Sequence, residues 1–376
     1  MPQQRSTKPR LLAGRNSVFV PPYPPSWFDR FTGWVDRLPG PAWAFYLIFG
    51  ALVVLAESAI QWREGAYPLG RFNLLTAWSV GEFAYLLALM HYLDKSAASA
   101  LAAFRPLLVS PKNGPSPALR DQSTFATLSY RLTTLPARPT LVATIVGAAF
   151  AIFVYVLQTS GETVPAVLVG TAGTTLSTVS VMVVFIPNNA ISFLLAYHTV
   201  HQLVQISRIY THNARINIYQ LQPLYALSLP GAFTAIGIIL FSYAWVAITA
   251  SASIAAGALG IGLTVVFAAI AGATFALPLL GAHRRLVAEK NRLLAEASSR
   301  FEAAIEDLHR QLDGRGRRPT NDPNKALAGI EIEQNALRRI PTWPWQPGAV
   351  RGLVAALFLP VAVWAIQLLL GRFFTP

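Results

Sequence analysis

Long apolar runs alternate along this chain with short segments where the charges collect. No Asp, Glu, Lys or Arg lies between Glu162 and Arg208, nor between Arg215 and Arg284. Uncharged apolar stretches longer than about 20 residues are span candidates, because a helix needs that length to cross the hydrocarbon of a bilayer. The pattern predicts an all-α, polytopic helical membrane protein with about seven spans. They fall near Ala42–Gln61, Leu74–Tyr92, Leu141–Leu157, Ser177–Val200, Gly231–Ala250, Ile254–Leu280 and Val350–Leu370. The stretch Thr163–Ser207 has room for one long kinked helix or for two short spans broken at "IPNN", Ile186–Asn189.

Between the runs the period changes. In "SWFDRFTGWVDRL", Ser26–Leu38, the apolar Trp27, Phe28, Phe31, Trp34, Val35 and Leu38 recur at helical spacing, and Asp29, Arg30, Asp36 and Arg37 take the other face. Ser26 can cap this helix after Pro24 and Pro25. So aromatic a helix beside a span is expected in the headgroup plane, with packing on the protein's own cytoplasmic part as the alternative. Phe125, Leu128, Leu132 and Leu135 repeat the idea before Pro136. Further on, Leu294, Phe301, Ile305, Leu308 and Leu312 form a contact stripe, with Glu296–Arg300 and Glu306–Arg310 as i,i+4 pairs. Gly314 ends that helix, and Asp322–Pro323 opens a second one carrying Leu327, Ile330, Gln334 and Leu337. The pair reads as a cytoplasmic helical hairpin with coiled-coil character, each stripe seeking cover in this chain or in a neighbouring subunit. The chain then bends through "IPTWPW", where Pro341, Pro344 and Pro347 fix the backbone. Trp343 and Trp345, like Trp27 and Trp34, suit the membrane interface, and Arg351 can snorkel to the headgroups.

Charge sets the direction of threading. Lys plus Arg number 30 against 17 acids, a net +13. Cations crowd the segment before the first span (Arg5 to Arg37), the second connection (Lys95 to Arg138) and the segment from Arg284 to Arg339. Only Arg63, Arg71 and Arg372 fall on the opposite side when the N-terminus is cytoplasmic. By the positive-inside rule the N-terminus is expected inside and the C-terminus outside, in the cell membrane. Two spans in Thr163–Ser207 would carry the basic Arg284–Arg339 segment across the membrane, so one span kinked at Pro187 is expected. Residues 1–40 then form a cytoplasmic tail with its amphipathic helix, and residues 41–282 a six-span bundle with a cytoplasmic connection at 94–140. Residues 283–347 form the hairpin and elbow, and residues 348–376 the last span. The basic start lacks an apolar signal-peptide core, so insertion is expected to depend on the first span.

Composition narrows the chemistry. The chain is 53% hydrophobic and 12% charged, about half the charge of a soluble domain. Cysteine is absent, which removes thiol chemistry and disulfides. No P-loop, dinucleotide-binding, nucleophile-elbow or zinc-protease motif occurs, so neither an enzyme nor a cofactor is expected. The cations are spread over membrane-proximal loops rather than one soluble face, which argues against nucleic acid. His198 and His201 share a helix face without a nearby carboxylate in sequence, and are expected to be hydrogen-bonded rather than metal ligands. Five polar residues inside predicted spans remain as candidate intramembrane or pore groups: Glu57, Glu82, Asn188, Asn189 and Gln367. The bland alternative is that they hydrogen-bond helices together.

The "TWPW" element, Thr342–Trp345, with its preceding hairpin and last span resembles a type of uncharacterised prokaryotic multi-pass membrane protein, which implies no activity. The architecture is similar to that of the insect odorant and gustatory receptor channels, whose last helix lines a tetrameric pore and carries an aromatic-containing apolar run ending in Gln. Here "LPVAVWAIQL", Leu359–Leu368, places Gln367 comparably, with Leu359–Pro360 where that family has Thr-Tyr. The resemblance implies a homo-oligomeric cation channel or channel-like receptor in the lipid bilayer. The other expectation is a membrane-anchored scaffold or sensor whose hairpin binds a cytosolic protein.

Overall fold

The structure is a computed structural model that describes residues 19–65, 67–72, 74–108, 117–159, 181–215, 217–249, 254–312 and 323–358. Every regular element among them is helical. A short α1 (Trp27–Val35) precedes α2 (Ala42–Arg63) and α3 (Leu74–Phe104). After α4 (Pro117–Thr133) and α5 (Ala137–Thr159), α6 (Ile186–Arg208) lies between two π-helical turns, Val181–Phe185 and Ile209–Asn213. Then come α7 (Gln222–Ala226), α8 (Ser228–Thr249), α9 (Ile254–Leu312), α10 (Pro323–Arg339) and α11 (Pro347–Phe358). Among the described residues, five stretches are long and apolar enough to cross a membrane: Ala42–Arg63, Ala137–Leu157, Val183–Asn213, Gln222–Tyr243 and Gly262–Arg310.

The helix directions follow from paired contacts. Tyr46 meets His91 and Gly50 meets Ala84, so α2 and α3 are antiparallel. Gly147 on α5 lies against Asn189 and Ala190, and Gly231 on α8 lies against Thr274 of α9. Ser228 and Tyr243 of α8 bond Gln346 and Leu357 respectively, so α11 runs parallel to α8. The bundle therefore alternates in direction from α2 to α9, except that α3 and α6 are parallel neighbours. The ends of α3 and α6, with α1, α4 and the Trp/Pro elbow, gather at one end of the bundle.

Two helix breakers are accommodated locally. Pro187 lacks the amide that would close the preceding turn, and the π turn Val181–Phe185 absorbs the defect. Helix runs on through "IPNN" without a loop, as a single kinked span requires. Pro278 sits inside α9 and leaves the Thr274 carbonyl without its usual donor. Gly231 brings the α8 backbone against that same carbonyl.

The polarity of the bundle is that of a protein in lipid. Large apolar side chains point outward, among them Leu47 at 64% exposed and Val265 at 65%, while Glu57, Glu82 and Asn188 are buried. The predicted boundary at 282/283 falls in the middle of a continuous α9, whose 59 residues extend about 88 Å at 1.5 Å per residue. Its polar half pairs with α10: Ala297 and Leu337 are fully buried, Leu293 and Leu294 pack beside them, and Arg300 meets Glu333 at 3.4 Å. Lys290 Nζ donates to the Arg338 and Ile340 carbonyls at 2.8 Å each, capping the end of α10.

Candidate functional site

The polar residues of α6 fall on one side of it. Asn188, Ser192, Thr199 and Gln202 are spaced four, seven and three apart, which keeps them near one face, with His198 beside Thr199. That face meets α3. The Asn188 amide donates to the Glu82 carboxylate and the Ser192 hydroxyl lies beside it, its one proton going to the Asn188 carbonyl at 2.9 Å. Glu82 is 7% exposed. One level nearer the end where α1 sits, His198 Nε2 faces Asp94 Oδ1 at 2.9 Å, and Gln202 reaches the Leu93 carbonyl. Because α3 and α6 run parallel, similar advances along each helix, from Glu82 to Asp94 and from Asn188 to His198, carry the contact from one pair to the next. Leu86, Met90 and Leu194 fill the level between them.

A second polar cluster joins α1, α2 and α3. His91 bridges the Tyr46 hydroxyl at 2.9 Å and Asp36 Oδ2 at 3.2 Å, and Lys95 Nζ donates to Asp36 Oδ1 at 2.6 Å. Burial favours the neutral acid at Asp36, but the bond to Lys95 and the His91 interaction outweigh it and hold the carboxyl below its ordinary value. At the other end of α1, Ser26 and Asp29 form a capping box, and Asp29 also accepts from the Leu135 amide at 3.1 Å. Burial there wins over those hydrogen bonds and raises the Asp29 carboxyl. Phe28 is fully buried and sets its ring edge-on to His198. Thus α1 is a lid on the bundle: Phe28, Thr32 and Val35 face inward, and Trp27 and Trp34 remain partly exposed on its flanks.

The sequence candidates separate accordingly. Glu82 and Asn188 come together. Asn189 turns away, its amide on the Phe185 carbonyl and its backbone against Gly147 of α5. Glu57 is buried on α2 beside Ser58 and is itself partnered, and Gln367 lies outside the described residues. His198 and His201 diverge, the second bonding the Arg131 carbonyl at 2.9 Å. Trp343 and Trp345 stack on each other at 4.8 Å and continue into His283 and Phe275 of α9, so the elbow is clamped along α9. His283 Nδ1 donates to the Thr342 carbonyl at 3.0 Å. Arg351 is exposed. Leu294, Phe301, Ile305 and Leu308 are half-buried on α9, and the Leu312 side chain lies outside the described residues.

Sequence reasoning passed over Tyr46, His91 and Asp94, and took Asp36 and Lys95 only as surface charges. For His91, Asp94 and Lys95 the signal was "HYLDK", His91–Lys95, where an apolar run turns charged within one helical turn. No family model, curated protein or solved structure matches this chain.

Proposed function

We propose that this chain is a seven-span protein of the cell membrane, cytoplasmic at its N-terminus, that handles cations as an oligomeric channel or channel-like receptor. In this reading the last helix stands nearest the subunit axis, as the likeness to the insect receptor channels implies, and lipid surrounds the rest. The alternating helix directions and the gathering of Lys- and Arg-rich segments at one end support the threading. Cysteines placed singly at Gly314 and Thr375 of this cysteine-free chain should label from opposite sides of the membrane. Labelling from one side sinks the topology.

The observation that carries ion handling is Glu82, a carboxyl buried between two parallel helices on the neutral partners Asn188 and Ser192. An acid at membrane depth costs roughly 2.5 kcal/mol or more, and such groups line ion paths. Purified protein in liposomes or planar bilayers should pass cations, and Glu82→Gln should reduce the flux. A silent wild-type protein that is also monomeric in mild detergent would end the proposal.

A second reading, of a membrane-anchored scaffold, draws on α10, where Ile332 is 69% exposed on the hairpin. It expects a cytosolic partner whose capture is lost when Phe301, Ile305 and Leu308 become charged, while Glu82→Gln leaves capture intact.

A further inference from the structure

Among the described residues, the buried side-chain nitrogens and oxygens without a hydrogen-bond partner are Trp78 Nε1, Asn188 Oδ1, His198 Nδ1 and Thr199 Oγ1. All of them lie on α3 or α6. Elsewhere in the bundle comparable groups are satisfied: Tyr85 bonds the Gly237 carbonyl, Tyr210 that of Leu224, and Thr234, Ser242 and Thr274 bond their own helices. An orphaned buried polar atom costs about 1–3 kcal/mol. Native interiors avoid that cost by binding water where two or more polar groups can hold it.

The orphans follow a line. Trp78 lies one turn before Glu82 on α3, toward the end away from α1. Asn188 meets Glu82 directly. Thr199 and His198 lie about 16 Å further along α6 at 1.5 Å per residue, level with Asp94. His198 is 1% exposed, and with Nε2 facing Asp94 its bare Nδ1 points into the protein.

We infer that α3 and α6 enclose a water-bridged proton path, with Glu82 as its binding site and the Asp94–His198 pair as its cytoplasmic exit. This inference rests on the cation-handling reading and names the cation. A proton fits where a metal ion does not. Hard cations take six or more oxygen ligands, whereas Glu82 has one amide and one hydroxyl beside it, and the described residues hold no metal-binding group of acids and histidines. Leu86, Met90 and Leu194 fill the level between site and exit with buried apolar side chains, which excludes a hydrated metal ion, so water bridges this level only when those side chains part. Besides Tyr85, His91, Tyr92 and Asp94 on α3 itself, the acids, histidines and tyrosines along the long apolar helices packed against it are Tyr46 and Glu57 on α2, Tyr197, His198 and His201 on α6 and Tyr243 on α8.

Each transfer conserves charge. A proton leaves the Glu82 carboxyl for a bridging water, and the relay delivers one to His198 Nδ1. His198 then gives its Nε2 proton to Asp94 Oδ1, and bulk water takes it from there. The ring then turns about its Cβ–Cγ bond, which carries the newly bound proton to the Asp94 side and a bare nitrogen back to the relay, so one proton crosses per cycle. Glu82 is reprotonated from the side of Trp78.

The test uses the full-length protein in liposomes that trap a pH-sensitive dye, with the membrane potential clamped by potassium and valinomycin. Wild type should collapse a pH gradient. Glu82→Gln should slow this on the order of a hundredfold, at the lower end of what a positioned proton-transfer group contributes. Thr199→Val should slow it less, and Glu306→Gln on the cytoplasmic half of α9 should match wild type. If Glu82→Gln does not fold, Thr199→Val and Ser192→Ala carry the test, each still expected to slow the collapse, though less than about a hundredfold. Potassium or sodium flux without proton flux overturns the proton path and leaves the cation-handling reading standing, as does proton flux undiminished in Glu82→Gln and Thr199→Val. Vesicles that pass no ion overturn both.

Discussion

The α3–α6 contact and the α9–α10 hairpin are both pairs of packed helices, built with opposite polarity. Between α3 and α6 the acid, amide and imidazole of Glu82, Asn188 and His198 face inward, while Leu47 and Val265 on neighbouring helices face out. In the hairpin, Ala297 and Leu337 face inward, and Glu296, Arg300, Glu306 and Arg310 pair on the surface. The difference is one of solvent. Lipid offers no hydrophobic gain on helix association, so close packing and hydrogen bonds must hold the bundle. Water drives the hairpin's apolar stripe inward and leaves its charges outside. One helix, α9, takes part in both regimes.

The comparison breaks most severely where packing alone acts. A Cβ at Gly147 would lie 2.6 Å from the Asn189 carbonyl oxygen and 2.8 Å from Ala190 Cα, both backbone atoms of α6. Gly147→Leu should therefore cost about 3 kcal/mol or more and sharply lower thermal stability in detergent. An unchanged melting temperature would refute the close α5–α6 approach. Next comes the hairpin core: Leu337→Ala should cost about 2–5 kcal/mol, opening α10 to hydrogen exchange while the bundle stays protected. The same truncation at lipid-facing Leu47 should be nearly silent, because lipid replaces the lost contacts.

The lid helix α1 gives a smaller effect with a sign. Ser26→Ala should loosen α1 by about 1 kcal/mol through loss of its capping box, read as faster amide exchange across Trp27–Val35. Its two aspartates respond oppositely to pH. The carboxyl of Asp36, held low by Lys95 and His91 against the pull of burial, contributes stability that is present above the ordinary carboxylate value and lost as pH falls through its lowered one. Asp29, raised by burial, contributes below its ordinary value and loses that contribution as pH rises through the raised one. Acid below the ordinary carboxylate range should thus loosen the Asp36 end of α1 in wild type, and Asp36→Asn should remove that dependence. Least of all should be Arg300→Gln, since an exposed pair such as Arg300–Glu333 is worth about 0–1 kcal/mol and is screened by salt.

Much of this architecture was legible in the chain. Apolar runs without charge located the long helices, since only a bilayer rewards them, and the Glu296–Arg300 and Glu306–Arg310 spacings appear as ion pairs on α9. Asp29 and Ser26 announced the start of α1. Glu57, Glu82, Asn188, Asn189 and Gln367 were all legible as candidates because a polar group is costly in an apolar run, whatever it touches; that Glu82 and Asn188 meet was not.

What the sequence determined by itself was therefore local and solvent-driven: which segments are helical, which of them are greasy enough for lipid, and where a cap or a proline ends or bends them. Tertiary structure alone decided the partners. That α3 and α6 lie parallel, that Asp94 meets His198 across 104 positions of sequence, and that Trp343 stacks on His283 rather than standing free at the interface depend on which helix faces which. Period and propensity are properties of one helix and its surroundings. A hydrogen bond between helices depends on the rotation and depth of two, and no single run of residues encodes that pair.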